Sequence, residues 1–595
     1  MKKVAVIGAG AAGLACLRVL SRVPNLTVVA FEKSAAGCGG VWNYKGNSKE
    51  ATDNPMYCTM RTNLPKEIMA FPGAPFPVSS GSGSGSFVTH KEVQEYLESY
   101  ADEHGLHRMI RYSTEVTSVS PTHAPARGSG SHTCESHWTL TSAAATGSSS
   151  SSSSETFDYI VVANGHCSAR NFPTPADLGT DTGTNMAAYQ RHPAHVVLHS
   201  GDYDGPHMRK RNRTARGNDN GNCSGNDNGR RDSGNSGGGD EGSAGLFADK
   251  SVLVVGGRNS ATDLAREISA VASVVHCSDR NANTNANAAS VGANVSGSSG
   301  GGGTDVGSCG GTDEHGNLRH YPGIRTYHED TREVELQCGS RVKADVLIWC
   351  TGFQYEFPFL GDSFGHVGGV GGEAESMTTA VAPSGRRVQG LYQQLWSVRE
   401  PSLSFVGLPF AVVPFPLFTV QAMAIASAIR GRSELPSLTE RQQWLQSWEP
   451  QLADRGCLND SKYHYLGEGG EQWEYSHSLL RSAFPSRDTA ADAAAAAAAD
   501  VGTDGEEEER ANERAELAAL TAHLRMCEQI YNENRKRKPA CVGYSDTYRD
   551  VQYAILGTAS SCSGSGSGSG SGRNVSDSGS GSGEETAARS WTMQE

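Results

Sequence analysis

The glycine-rich stretch at the start of the chain constrains its fold more than any other feature. Val4–Ile7 is a short apolar run typical of a buried strand, and Ala11–Leu20 has the pattern of a helix. Glycines at 8, 10 and 13 between them permit a tight turn, close backbone approach to a pyrophosphate, and close packing of helix on strand. Free N–H groups at the helix start would face the phosphates. The predicted dinucleotide-binding turn is Gly8, Ala9, Gly10, Ala11, Ala12 and Gly13.

An acidic residue follows at the distance that such a turn requires. The run Thr27–Phe31 predicts a second strand, and Glu32 stands directly after it. A carboxylate at this strand end can accept hydrogen bonds from ribose hydroxyls. Strand, turn, helix, strand and acid therefore occur in the order that a nucleotide site needs.

The same unit occurs a second time. Further short, nearly continuous apolar runs predict buried parallel strands at Tyr159–Val162, Ser251–Val255, Ser273–Cys277 and Val346–Trp349. Because helical patterns alternate with these strands, the predicted fold class is α/β, with two Rossmann-like dinucleotide-binding domains.

The second turn is an eroded copy of the first. It follows Ser251–Val255 and precedes a helix with Leu264, Ile268 and Val271 on one face. Arg258 stands where the middle glycine would be and Ala261 where the third would be. The predicted second nucleotide-binding turn is Gly256, Gly257, Arg258, Asn259, Ser260 and Ala261.

Composition limits the remaining possibilities. Only 37% of the 595 residues are hydrophobic and 71 are glycine, so we expect ordered domains interrupted by flexible low-complexity insertions. The net charge of -14 without an extended basic stripe excludes nucleic-acid binding. The 14 cysteines show no C-x-x-C pair, which argues against a metal site and a dithiol centre.

The N-terminal segment and one apolar stretch bear on where the protein resides in the cell. A core strand begins at Val4, which leaves no room for a secretory signal, so we expect a cytoplasmic protein with reduced thiols. Phe405–Ile429 is long enough to span a bilayer, but its prolines favour a buried connection followed by a helix from about Thr419. The sequence predicts no clear membrane anchor, and peripheral membrane association stays open.

Two further segments carry a family resemblance. Gly37–Trp42 reads GCGGVW, and Tyr57–Pro77 reads YCTMRTNLPKEIMAFPGAPFP. Both resemble the flavin-containing monooxygenases, the second in particular the plant and fungal type that oxygenates sulfur or nitrogen. The resemblance implies that FAD occupies the first site, with Asn63 as the catalytic residue that helps to position oxygen. The FAD-lining residues that it implies are Gly40, Val41, Trp42, Thr62, Asn63 and Leu64.

The resemblance also extends to the second site and to the connections between domains. Ser278-Asp279-Arg280 resembles a Ser-x-Arg element, which implies that Ser278 and Arg280 bind the 2'-phosphate of NADPH. Asp279 departs from that pattern and would repel a phosphate, so the strictness of NADPH over NADH stays open. Asn164–His166, and Thr351 with Gly352, resemble the two chain crossings between domains.

A family fingerprint near residue 200 is only partly present, because Pro193 and His195 replace its Phe and Gly while His199 and Tyr203 are kept. The sequence predicts the first part of an FAD domain at 1–165, an NADPH domain at 166–339 with insertions at 209–245 and 281–312, and the second part of the FAD domain at 340–480. A low-complexity linker is predicted at 481–516, a C-terminal family segment at 517–556 and a disordered tail at 557–595.

The resemblance implies a specific enzyme activity, of the N,N-dimethylaniline monooxygenase type. NADPH would reduce FAD, and one oxygen atom of O2 would pass through a flavin C4a-hydroperoxide to a nucleophilic sulfur or nitrogen of a small molecule. Thioethers, thiols and amines all fit as substrates. Two alternatives stay open, a Baeyer-Villiger ketone monooxygenase and a flavin-binding protein that has lost turnover. The oligomeric state is not indicated.

Overall fold

The computed structural model describes most of the chain outside the low-complexity segments. The described residues are 1–46, 54–77, 85–122, 138–145, 152–174, 186–192, 195–208, 245–280, 316–361, 380–467, 470–484, 504–537, 552–556 and 590–594. The predicted flexible insertions therefore lie largely outside the described residues.

The first part of the chain alternates between strands and helices. Its strands are β1 (Lys2–Ile7), β2 (Leu26–Phe31), β3 (Ile110–Arg111), β4 (Thr114–Pro121), β5 (Trp138–Ala144), β6 (Ser152–Phe157), β7 (Tyr159–Val162) and β8 (Ala169–Arg170). Its helices are α1 (Ala11–Leu20), α2 (Lys66–Met69) and α3 (His90–Glu103), with short 3-10 helices at Gly40–Trp42 and Leu106–Met109.

The middle part repeats this alternation. Its strands are β9 (Val196–His199), β10 (Ser251–Val255), β11 (Val274–Ser278), β12 (Leu318–Tyr321), β13 (Ile324–His328), β14 (Glu333–Leu336), β15 (Arg341–Val342), β16 (Val346–Trp349) and β17 (Phe353–Gln354). Its helices are α4 (Met186–Arg191) and α5 (Asn259–Ser269), with 3-10 helices at Ser200–Asp202 and Pro358–Leu360.

The last part is mainly helical. Its helices are α6 (Pro414–Arg430), α7 (Leu438–Asp454), α8 (Glu471–Ala483) and α9 (Asp504–Arg537), with a 3-10 helix at Asp460–Lys462. Its strands are β18 (Ala380–Val381), β19 (Val388–Gln389), β20 (Leu391–Tyr392), β21 (Trp396–Ser397), β22 (Leu403–Phe405), β23 (Gln552–Leu556) and β24 (Ser590–Gln594).

Two separate sheets carry the two predicted units. The first has the strand order β20-β21-β22-β7-β1-β2-β3, and the strands from β22 to β3 are parallel. The second has the order β12-β11-β10-β16-β9 and is parallel throughout. The α/β fold class predicted from the sequence is confirmed. In each sheet the glycine turn follows a central strand, where the carboxyl ends of open parallel sheets bind ligands.

Both faces of each sheet are covered, as parallel strands require. Helices α1, α3 and α6 pack on one face of the first sheet, and the antiparallel sheet β4-β5-β6 covers the other, with Trp138 and Phe157 buried against it. In the second sheet, α5 covers one face and the β13-β14-β15 sheet the other. This double burial explains why the strands read as continuous apolar runs rather than alternating ones.

Four local expectations need correction. Helix α6 begins at Pro414 instead of about Thr419, because prolines in a first helical turn lose no hydrogen bond. Helix α9 covers the end of the predicted linker, where glutamates precede Ala, Leu and Arg, which are strong helix formers. In the predicted tail, β24 pairs with β23, and the stretch 128–154, whose Ser/Gly-rich composition also predicts a flexible insertion, contains β5 and the first residues of β6. In these last two cases strand pairing overrides a serine-rich local sequence.

No helix among the described residues has both the length and the apolar character needed to cross a membrane. The apolar stretch Phe405–Ile429 instead ends β22 and forms most of α6, whose buried residues pack in the core of the first sheet.

Candidate functional site

The first glycine turn is shaped by backbone contacts that leave no room for a side chain at Gly8 or Gly13. Gly8 has a φ of +102°, and a Cβ there would lie 2.5 Å from the carbonyl oxygen of Ala163. A Cβ on Gly13 would overlap the carbonyl oxygen of Gly8. Gly10 is the N-cap of α1, and no described side chain caps this helix. Its first N–H groups are therefore directed at the space beside the turn.

Glu32 is fixed at the edge of this turn. Its carboxylate accepts hydrogen bonds from the N–H groups of Ala9, at 2.8 Å, and Ser34, at 2.9 Å. The residue is only 9% exposed. Because each carboxylate oxygen has a further lone pair, Glu32 can still accept hydrogen bonds from ribose hydroxyls.

The GCGGVW element lies directly on the turn. The N–H of Gly39 donates to the carbonyl of Ala9 at 2.9 Å, and Gly40 packs so closely that a Cβ on it would lie 3.0 Å from the Cα of Gly10. Gly40, Val41 and Trp42 form a 3-10 helix and are partly or fully exposed. The side-chain amide of Gln94, in α3, donates a 2.9 Å hydrogen bond to the carbonyl of Cys38 and so fixes the element to α3. No sequence motif indicated a role for Gln94.

The segment that carries Asn63 is pinned along its backbone. Thr62 exchanges two hydrogen bonds with Val88, N–H to carbonyl at 2.8 Å and back to the Thr62 hydroxyl at 3.1 Å. Asn63 and Leu64 follow as partly exposed residues. The Asn63 carboxamide makes no recorded hydrogen bond to another residue in the described part of the chain. A rigid backbone thus presents an amide that is available to a ligand.

The second turn repeats the first but replaces its middle glycine. Gly256 has a φ of +149°, and a Cβ there would overlap the carbonyl oxygen of Cys350. Arg258, at the middle position, is the N-cap of α5, and its guanidinium lies 5.1 Å from the ring centre of Phe410 and 5.3 Å from that of Tyr465. Asn259 and Ser260 are exposed and Ala261 is buried against the sheet. The arginine therefore bridges the two sheets' domains.

The end of β11, beside this turn, carries the residues that were expected to bind the 2'-phosphate. Ser278 is 1% exposed and donates its hydroxyl to the carbonyl of Pro322 at 3.1 Å, so the hydroxyl is directed into the protein. Arg280 is exposed. The carboxylate of Asp279 lies against Gly257, where a Cβ would overlap it. The structure thus brings Asp279, rather than Ser278, next to the turn.

The two predicted chain crossings are joined to each other. Strands β8 and β17 pair antiparallel across them. Asn171 donates to the carbonyls of Thr351, at 2.9 Å, and Gly352, at 3.0 Å, and the Thr351 hydroxyl donates to the Asn171 carbonyl at 2.6 Å. The retained His199 of the fingerprint lies 2.9 Å from the Gly352 carbonyl through Nε2. Pro193 lies outside the described residues.

A half-buried acid, which no sequence motif indicated, links the domain of the first glycine turn to that of the second. Glu267 of α5 accepts hydrogen bonds from the hydroxyls of Thr59, at 2.7 Å, and Tyr203, at 2.8 Å. Burial raises the pKa of Glu267. Tyr57 packs edge-on against Tyr203, with ring centres 5.2 Å apart. The segment before Asn63 thus reaches from one domain to the other.

The described residues also include one candidate metal cluster close to the first turn and one cavity remote from it. Cys38, Glu98 and His107 have potential metal-ligating atoms within 4.8 Å of one another. Burial raises the pKa of Cys38 to about 12, which keeps the metal-free thiol protonated at neutral pH. A cavity of about 1100 Å³ lies between α1, α6 and α9, at the end of α1 that is remote from the glycine turn.

The residues present fit two dinucleotides. Each turn supplies a close backbone approach that a Cβ would block, an uncapped helix N-terminus and an acid at the neighbouring strand end. FAD would lie along Gly8–Gly13 with its ribose at Glu32, and a nicotinamide nucleotide along Gly256–Ala261.

Known proteins resemble this chain in both sequence and fold. The flavin-binding monooxygenase-like (FMO-like) family model matches residues 1–215. Flavin-containing monooxygenase FMO GS-OX-like 4 of Arabidopsis thaliana is 29% identical over 491 residues, covering 80% of this chain and 86% of that protein. FMO GS-OX5 of the same plant is 29% identical over 506 residues, covering 79% and 86%.

Solved structures agree on the fold. S-allyl-L-cysteine S-oxygenase from Allium sativum has a TM-score of 0.60 at 24% identity, covering 92% of this chain and 95% of its own. Tmm from Pelagibacter sp. strain HTCC7211 has a TM-score of 0.54 at 20% identity, covering 81% and 86%.

Proposed function

The chain belongs to the flavin-containing monooxygenase family, and on that basis we propose that it oxygenates the sulfur of a small thioether. It is an FAD- and NADPH-dependent monooxygenase that acts on a small molecule and O2. Sulfur is favoured over nitrogen because one protein of the same fold is named an S-oxygenase of S-allyl-L-cysteine. The observation that carries the proposal is a pair of glycine turns, each at the carboxyl end of a parallel sheet. The chain crossings between the two sheets are joined by the pairing of β8 with β17.

The protein's contribution is binding, orientation and exclusion of water. When bound, FAD would supply acceptance of hydride from NADPH and the activation of O2. The free N–H groups at the start of α1 would bind the FAD pyrophosphate, and the Glu32 carboxylate would accept hydrogen bonds from the FAD ribose hydroxyls. The hydrogen bonds of Glu267 to Thr59 and Tyr203, together with the β8-β17 pair, join the two domains. These contacts would hold the two bound cofactors in a fixed position relative to each other.

Asn63 is the proposed catalytic residue. Its backbone is fixed through Thr62 and Val88, while its carboxamide stays available to orient the reacting oxygen by a hydrogen bond. The N63A variant should keep FAD and its reduction by NADPH, but lose about 10- to 100-fold in oxygenated product per NADPH, with hydrogen peroxide released instead. The matched control is N459A, an exposed asparagine near α7. Wild-type coupling in N63A would refute the assignment.

Two measurements test the function itself. Anaerobic addition of NADPH should bleach the flavin absorbance, and failure to bleach would favour a flavin-binding protein without turnover. Oxygen uptake with NADPH should then increase with a thioether and yield the sulfoxide. Increased uptake with amines alone would assign nitrogen as the acceptor, and ester formation from a cyclic ketone alone would assign a Baeyer-Villiger enzyme.

The compartment is part of the proposal. We expect the cytoplasm, because the nine cysteines in the described part of the chain are all free thiols.

A further inference from the structure

The two nucleotide turns of this chain correspond residue by residue. Gly8 follows β1 and donates its N–H to the carbonyl of Phe31 at the end of β2, at 2.8 Å. Gly256 follows β10 and donates in the same way to Ser278 at the end of β11, at 2.9 Å. Both glycines are held against the carbonyl of the residue that directly follows the neighbouring central strand, Ala163 after β7 or Cys350 after β16.

This correspondence places Asp279 where the first site has Glu32. Each is the first residue after the second strand of its unit. Each donates its backbone N–H at 3.0 Å to the strand beyond, Glu32 to Arg111 and Asp279 to Tyr321. Both carboxylates lie against the residue after the first glycine, Ala9 in one unit and Gly257 in the other.

The second unit is adapted to its shorter acid. A Cβ on Gly257 would overlap the Asp279 carboxylate, so glycine at 257 is what lets this carboxylate lie directly on the turn. In the first unit, where alanine occupies the corresponding position, the longer glutamate accepts a hydrogen bond from the N–H of Ala9 at 2.8 Å. Glycine and aspartate thus form a matched pair at the second site.

The acid at this position selects the kind of ribose. The adenosine ribose of FAD has free 2'- and 3'-hydroxyls, which donate hydrogen bonds to a carboxylate. A 2'-phosphate in the same place would bring like charges together. Of the two expected phosphate ligands, the Ser278 hydroxyl is already bonded to Pro322, and only Arg280 is exposed.

We propose that Asp279 binds the adenosine ribose of NADH through its free hydroxyls, so that this chain accepts NADH with an affinity within about tenfold of that for NADPH. Arg280 at the same strand end retains the use of NADPH. The inference rests on the proposed function for the presence of a nicotinamide nucleotide at this turn. It goes beyond that function by assigning the selectivity of the site to a single side chain.

Equilibrium binding of oxidised nucleotides tests this without turnover. NAD+ and NADP+ are titrated separately into the FAD-loaded enzyme, wild type and D279N, with binding followed by calorimetry. The wild-type dissociation constants should lie within about tenfold of each other. In D279N, NAD+ should weaken by about tenfold, because its hydroxyls lose a charged acceptor, and NADP+ should tighten by about tenfold.

The control variant is D249N, which removes an exposed carboxylate before β10, at the opposite end of the same sheet. Its ratio of constants should stay at the wild-type value. FAD content and thermal unfolding show that D279N is folded, and D279S provides a second neutral side chain. The anaerobic bleaching rates with NADH and NADPH should change in the same ratio as the affinities.

The outcomes separate the two proposals. A shift of tenfold or more in the NAD+ to NADP+ ratio on removing the Asp279 charge supports the inference. A smaller shift, or wild-type binding of NADP+ alone, overturns the inference and leaves the monooxygenase function intact. Failure of both nucleotides to bind the wild-type enzyme overturns the proposed function together with the inference.

Discussion

Two glycines of the first turn allow cofactor binding to be separated from folding. Gly10 has a φ of −70°, which any residue can adopt, and a Cβ on it would lie 3.5 Å from the Cα of Gly40, an ordinary contact. Gly13 differs, because its Cβ would overlap the carbonyl oxygen of Gly8 and the turn would have to move. We therefore expect G10A and G13A to fail in different ways.

The magnitudes follow from these geometries. In the protein without FAD, G10A should be neutral or more stable by about 0.4–1 kcal/mol, since alanine restricts the unfolded chain. G13A should lose about 1–3 kcal/mol, as expected for overpacking against a fixed backbone. Both should lose FAD affinity. For G10A the new methyl group occupies the space where the backbone approaches the pyrophosphate, and a hundredfold loss corresponds to about 2.7 kcal/mol.

The assay has two parts. Urea unfolding of the deflavinated proteins gives the stability differences, and fluorescence quenching of added FAD gives the dissociation constants. G73A is a suitable control for handling, since Gly73 lies outside the turn and no atom lies within 4 Å of its Cβ position, although its φ of +79° adds local strain. Wild-type FAD affinity in G10A would refute the placement of the pyrophosphate at this turn.

Two further predictions concern stability. Burial lowers the pKa of His464 to about 3 and that of His276 to about 4, below the usual value near 6.5, so the unfolded chain binds more protons as pH falls. Their contribution is complete above pH 6.5, and the two histidines together should lower the free energy of unfolding by about 2–3 kcal/mol between pH 7.5 and 5.5; urea unfolding of H464Q against the wild type over this range isolates the His464 share. Y203F removes the hydroxyl that donates to Glu267 and should cost about 1–2 kcal/mol, whereas Y327F removes a buried hydroxyl without a hydrogen-bond partner among the described residues and should cost nothing. Equal losses in the two variants, measured by urea unfolding, would contradict the assigned role of the Tyr203 bond.

The parallel strands and both glycine turns were predictable because each depends on residues close together in the chain. Strands β7, β10 and β16 and helix α1 have the predicted bounds, since buried parallel strands are continuous apolar runs. The predicted family, the enzyme class, and the FAD and NADPH cofactors are confirmed by the relatives. The individual site residues and the domain boundaries stay predictions.

Other features depended on contacts between residues that are distant in sequence. Nothing near Glu267 indicates that it accepts hydrogen bonds from Thr59 and Tyr203. Nothing near Arg258 indicates that it lies over Phe410 and Tyr465. These pairs are more than 60 residues apart in the chain, so no local pattern encodes them.

The sequence by itself determined that two units of strand, glycine turn and helix exist, because glycine spacing, strand runs and the acid Glu32 are local properties of the chain. Only the tertiary structure decided which polar groups at those turns face a ligand. Ser278 and Asp279 are neighbours in sequence, yet alternation along the strand sends the first side chain into the protein and leaves the second against Gly257.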